Sequence, residues 1–156
     1  MRITSIIIAV LIGAAAITAG TAVASESSVA TGEFETLAGG VELGYSVDGV
    51  ARMVRSSGDH TIVTVHVSGL DPNSTYPVHV HDRPCSATPP GGGHYQHEIG
   101  GAVDADNEIW PIVRTGPTGQ GLGTALHDHV ARADAQAVVI HYPANTSIRL
   151  ACADLD

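Results

Sequence analysis

Lysine is missing from the chain altogether. Seven arginines stand against 16 aspartates and glutamates, for a formal charge of −9 with the nine histidines neutral. That balance argues against nucleic acid as a partner, since phosphates would be repelled, and it leaves no basic patch for an anionic membrane. It also weakens the long-range attraction of any anionic substrate. Aromatic residues are scarce, at four tyrosines, one tryptophan and one phenylalanine. Tyr95 and Trp110 are therefore read as packing residues that the core needs. Cysteine is limited to Cys85 and Cys152. No stretch keeps a 3.6-residue apolar period over three turns, which excludes a helical fold. Only Ile3 to Ile17 forms a long apolar run. Its 15 residues, interrupted by Gly13, fall short of the roughly 20 that span a bilayer.

With Arg2 before it and Ala22-Val23-Ala24 after it, that run has the pattern of a secretory signal, so residues 1–24 are expected to be cleaved near Ala24-Ser25. The loss of Arg2 takes the charge from −9 to −10. No cysteine lies at the cleavage point and no second apolar span follows, so the product is expected to be free of a lipid or integral anchor, secreted or in the cell envelope. Residues 25–32, Ser-Glu-Ser-Ser-Val-Ala-Thr-Gly, are small and polar and read as a flexible leader to one domain over 33–156. In an oxidising compartment two cysteines have one intramolecular pairing, and a Cys85–Cys152 disulfide is the expectation, with a pair of buried free thiols as the alternative.

From Gly32 onward, short segments rich in Val, Ile, Thr and Tyr recur between turn signals, the mark of an all-β sandwich or flattened barrel. Thr61 to Val67 alternates apolar and polar residues and follows Ser57-Gly58-Asp59, so with Val50 to Val54 it reads as a hairpin. Further strands are expected at Val78 to His81, Glu108 to Ile112, Gly123 to His129 and Ala137 to His141. Gly91-Gly92-Gly93 and Thr115-Gly116-Pro117-Thr118-Gly119 mark loops.

The histidines carry the chemistry. His79 and His81, at i and i+2 on an expected strand, project from one face and can grip one ion with two rings. His94 and His141 extend the set, and imidazole is a ligand that suits copper. His127 and His129 repeat the i, i+2 spacing and could form a second grip. His60 and His66 have no partner at ligand spacing and read as surface residues.

Gly69-Leu70, His79-Val80-His81, Gly93-His94-Tyr95, Val138-Val139-Ile140-His141 and Arg149-Leu150-Ala151-Cys152 occur in the order found in the Cu/Zn superoxide dismutase family, and from about Val50 to Asp156 the chain resembles that family. The resemblance implies a Greek-key β-barrel. It also implies copper held by His79, His81 and His141, with His94 as the histidine that bridges copper and zinc. By the same resemblance Arg149 guides the anion superoxide, and Cys85 and Cys152 form the intrasubunit disulfide. The implied activity is conversion of superoxide to dioxygen and hydrogen peroxide by Cu(II)/Cu(I) cycling.

The departures matter as much. Beyond His94 the loop offers only His97 and Asp104 toward a zinc site, and Gly101 stands where another histidine is expected, so zinc is not expected. The seven residues between His141 and Arg149 are too few for a charged guiding loop. Both losses resemble the copper-only branch of the family, here of an exported bacterial type. Asp104 and Glu98 either orient the His94 or His141 ring through its second nitrogen or are simply solvated carboxylates. Two other readings are a copper-buffering or delivery protein of the same fold and a cupin-like binding barrel. The second lacks the glutamate expected after the His-x-His pair, since Asp82-Arg83-Pro84-Cys85-Ser86 has none.

Overall fold

The computed structural model describes residues 27–156, so the expected signal segment lies outside the described residues. Ten strands and one short helix follow in order: β1 (Ser28–Glu33), β2 (Glu35–Thr36), α1 (Ala38–Glu42), β3 (Asp48–Arg55), β4 (Thr61–Ser68), β5 (Thr75–Tyr76), β6 (Val78–His81), β7 (Val113–Thr115), β8 (Gly121–His127), β9 (Ala137–Tyr142) and β10 (Asn145–Asp154). They form a six-stranded sheet in the order β1-β3-β4-β8-β7-β5 and a four-stranded sheet in the order β2-β10-β9-β6. All pairings are antiparallel. Because β4 lies beside β8, and β6 beside β9, the chain crosses between sheets as a Greek-key sandwich does. Among the described residues no helix is long and apolar enough to cross a membrane.

The core lies between the two sheets and follows the period-2 pattern. In β4, Thr61, Val63, Val65 and Val67 are buried while the alternate residues are partly or fully exposed. In β6, Val78 and Val80 enter the core beside Met53, Ile140 and Leu150, so His79 and His81 must point to the outer face of the four-stranded sheet. Strand β9 is buried from Ala137 to His141 because both of its faces are covered. Val138 and Ile140 meet the core, while Ala137 and Val139 pack outward with Cys152, Leu37 and Cys85.

Three sequence expectations change. Residues 28–32 of the expected leader, with Glu33, are strand β1 (Ser28–Glu33), paired along its whole length with β3, and Thr31 donates its backbone N–H to Asp156 O at 3.0 Å. Edge pairing uses main-chain groups, so a segment with only Ala30 buried can join a sheet without an apolar face. The expected strand from Glu108 to Ile112 is irregular chain, with the strand starting at Val113. Asn107, Glu108 and Ile109 are buried in succession, and Pro111 has no N–H for a ladder. The strand expected at Gly123 to His129 runs instead from Gly121 to His127. The β3–β4 hairpin forms as expected, closed by Ser56 N donating to His60 O at 2.8 Å.

Cys85 and Cys152 are disulfide-bonded across a separation of 67 residues. The bond ties the long connection between β6 and β7 to β10. In the chain-entropy model a closed loop of that size is worth roughly 4 kcal/mol as an upper figure. Replacing both cysteines by serine should therefore lower the urea midpoint markedly, and an unchanged midpoint would show that packing alone holds the connection.

Candidate metal centre

Four imidazoles meet on the outer face of the four-stranded sheet. Alternation places His79 and His81 on that face of β6, and the same parity places His141 beside Val139 on β9. His94 arrives on the loop, where a single bridge pairs it with His81 and Tyr95 N donates to Val80 O at 2.9 Å. One nitrogen from each ring lies within 4.8 Å of those of the other three. His81 is fully buried and His141 nearly so, while His79 and His94 are half-buried.

Outer hydrogen bonds choose which nitrogen of two rings faces inward. His141 Nδ1 lies 2.6 Å from Thr146 O, a carbonyl that can only accept, so the ring proton is on Nδ1 and Nε2 carries the lone pair. His94 Nδ1 donates to Glu108 Oε2 at 2.6 Å, which leaves its Nε2 free in the same way. His81 Nε2 and His141 Nε2 are 3.2 Å apart. Two nitrogens each about 2.0–2.1 Å from one ion would be separated by a distance of this size. His79 Nδ1 and His81 Nδ1 are buried without a hydrogen-bond partner. This set of four imidazole donors fits a transition ion.

Glu108 holds the arrangement. Its carboxylate is buried and receives three donors: His94 Nδ1, Trp110 Nε1 at 2.9 Å and Gln96 Nε2 at 3.3 Å. The Trp110 ring also packs against His79, with ring centroids 5.5 Å apart. Of the two readings of Asp104 and Glu98, neither residue orients one of the four rings. Asp104 Oδ1 instead accepts the backbone N–H groups of Asp106 and Asn107 to close a turn, and Glu98 is exposed. His141 is oriented by a main-chain carbonyl. The sequence hides the role of Glu108, because its neighbours give it the pattern of a strand residue. Its signal was an acid followed directly by Ile109, Trp110 and Pro111, an apolar setting in which a carboxylate needs donors.

Arg149 is paired with His141 across the β9–β10 hairpin, where the register is irregular on both sides of it. Its Nη1 donates to Pro90 O and its Nη2 to Gly92 O at 2.7 Å. Both carbonyls belong to the loop of residues 82–93 that the disulfide anchors. Burial lowers the Arg149 pKa from its usual value, and Asp82 works in the opposite sense. The loop lies close to the sheet: at Gly91, with φ +84°, a Cβ would come within 2.8 Å of Val139 Cγ2. His97, His127 and His129 lie apart from the four-histidine group and cluster with one another. His66 is exposed and His60 half-buried.

Burial, followed by the charges of neighbouring histidines, lowers the pKa of His79 to about 3 and that of His81 to about 2. Burial also lowers that of His141 to about 4, against the opposing hydrogen bond to Thr146. The rings are thus neutral, the form that binds metal. In the unfolded chain each histidine takes a proton near pH 6.5, whereas the folded rings do not until about pH 4 or below. The metal-free protein should therefore lose stability as pH falls from 6.5 toward 4, by up to about 1.4 kcal/mol per pH unit for each fully buried ring. Urea midpoints measured across that range check the sign, and a flat profile would contradict it. Glu108→Gln should weaken copper binding by roughly 10–100-fold, as loss of an outer partner of a ligand histidine does. Competition with a chromophoric chelator reads this directly, and unchanged affinity would remove Glu108 from the site.

No protein-family model matches the sequence, and no curated protein does. Solved structures do match. The copper(II) form of Candida albicans superoxide dismutase 5 aligns with a TM-score of 0.55 at 17% identity, covering 83% of this chain and 91% of that one. A glutamate-to-glutamine variant of the same protein aligns with a TM-score of 0.56 at 16% identity, covering 84% and 92%. An aspartate-to-asparagine variant aligns at 0.53 and 19%, covering 84% and 91%. At this identity the likeness is one of fold, and the chain is an antiparallel β-sandwich with the fold of superoxide dismutase 5.

Proposed function

We propose that the chain is an exported, copper-dependent superoxide dismutase that works without zinc, with His79, His81, His94 and His141 as copper ligands and Arg149 as the anchor for the superoxide anion. The observation that carries this reading is the convergence of four imidazoles beside a guanidinium whose position is held by two main-chain carbonyls. Bound copper supplies one-electron chemistry through its Cu(II)/Cu(I) couple. The protein supplies the rest. An arginine has five N–H donors. Pro90 and Gly92 occupy two of the Arg149 donors, so others remain for a small anion, and the fixed fork needs little reorganisation to receive it. Asp82, near Arg149, and the overall negative charge oppose long-range steering, so capture of superoxide works at short range. His94, with Nδ1 committed to Glu108, can accept or release a proton at Nε2 alone. Export follows from the leader pattern over residues 1–24 and accords with the disulfide.

Pulse radiolysis of copper-loaded, zinc-free protein tests the reading. Superoxide consumption should be catalytic, and it should be lost in His141→Ala. In Arg149→Ala it should fall by roughly tenfold or more, while copper affinity changes little, as for a group that positions the anion and does not hold the metal. Stoichiometric copper binding with no turnover would replace the enzyme by a copper-buffering or delivery protein.

A further inference from the structure

The three histidines that stay outside the four-histidine group gather at one place. His127 ends β8, opposite Thr61 of β4, and is almost wholly buried, with 2% of its surface exposed. Its ring lies 5.2 Å from that of His129 and 5.9 Å from that of His97, centroid to centroid. The His97 and His129 rings are stacked at 3.8 Å. His97 belongs to the loop that carries His94, so the cluster joins that loop to the end of β8.

The cluster has the internal support of a ligand site. His127 Nδ1 faces His129 O at 3.4 Å, and the Thr61 hydroxyl donates to the same carbonyl at 2.8 Å while accepting Ala131 N at 2.7 Å. With Nδ1 turned to a carbonyl, His127 presents Nε2, and this nitrogen is buried with no hydrogen-bond partner. His97 Nδ1 is likewise buried and unpartnered. Two buried imidazole nitrogens beside an exposed third ring thus have no hydrogen-bond partner, although buried polar atoms are nearly always paired. Hydrogen-bonding side chains do not reach them. The nearby guanidinium of Arg132 is turned elsewhere, to His97 O, Gln96 O and the carboxylate of Asp134.

We propose that His97, His127 and His129 form a second metal site that takes a borderline divalent transition ion of the zinc type, separate from the four-histidine centre. Three imidazoles with one open position are a recurrent zinc set. His127 and His97 offer nitrogens already stripped of water. His129 is exposed, and turning its ring from face-on to edge-on against His97 completes the triad. Glu98, next to His97, favours a bound cation, and Arg132 opposes it with a charge partly neutralised by Asp134 at 2.9 Å. The ion would clamp the end of β8 to the loop bearing His94.

Equilibrium dialysis of the copper-loaded chain against zinc, with both metals counted by mass spectrometry, tests the site. One equivalent of zinc should enter with copper retained. His129→Ala, a change at an exposed position, should weaken zinc binding by roughly tenfold or more, at least the effect of losing an outer partner. His97→Ala should do the same, with the melting temperature of each variant confirming its fold. Zinc uptake that is absent, that displaces copper, or that is equal in wild type and both variants would overturn the proposal. The difference between wild type and variant is read by metal count, so it stands whether or not the four-histidine centre proves to be a dismutase.

Discussion

The site depends on one mechanical constraint: the connection between β6 and β7 must lie flat against the outer face of the four-stranded sheet. That face already carries His79, His81 and His141, but a sheet face alone leaves them open to water. The disulfide between Cys85 and Cys152 fastens the connection to β10, and the close passage of Gly91 over Val139 keeps it against the sheet. Once there, the loop contributes His94 to the four-imidazole group and the two carbonyls that hold Arg149. Covering the face also buries His81, so the same packing that assembles the rings keeps that ring neutral.

Charge is managed at short range. The chain has few cations, and two of those near the loops donate mainly to carbonyl oxygens: Arg149 to Pro90 and Gly92, Arg132 to Gln96 and His97. Each thereby ties down backbone that has no strand partner. The buried carboxylate of Glu108 does the complementary task, gathering an imidazole, an indole and an amide donor around one negative group. A buried charge is tolerated only when its hydrogen-bonding capacity is used in this way. The consequence is a ring, His94, whose orientation is set from behind by a fixed anion.

The β-fold was legible because alternation is a local property. Val78-His79-Val80-His81 states both which residues enter the core and which face the two histidines share, and Thr61 to Val67 likewise shows which side of β4 is buried. Strand β1 was not legible, since an edge strand needs no apolar face, and the 108–112 segment misled because apolar content there reflects burial in a loop. The role of Glu108 was hidden for a related reason. Its partners come from positions 94, 96 and 110, and no spacing rule connects an acid to a histidine 14 residues earlier across an irregular loop. Asp104 and Glu98 were the more conspicuous acids, yet one closes a turn and the other faces solvent.

By itself the sequence determined the antiparallel β class, the strand that bears two of the four clustered histidines, the histidine types and order suited to a transition ion, and the one disulfide that two cysteines allow. These are matters of residue type and short-range period, and a linear chain displays them directly. Only the tertiary structure decided that His79, His81, His94 and His141 converge within 4.8 Å, that Glu108 rather than Asp104 orients His94, and that His97, His127 and His129 form a cluster of their own. Those outcomes depend on how a long irregular loop packs against two sheets. Its path is set by non-local burial and by where buried polar atoms can find partners, which no local pattern encodes.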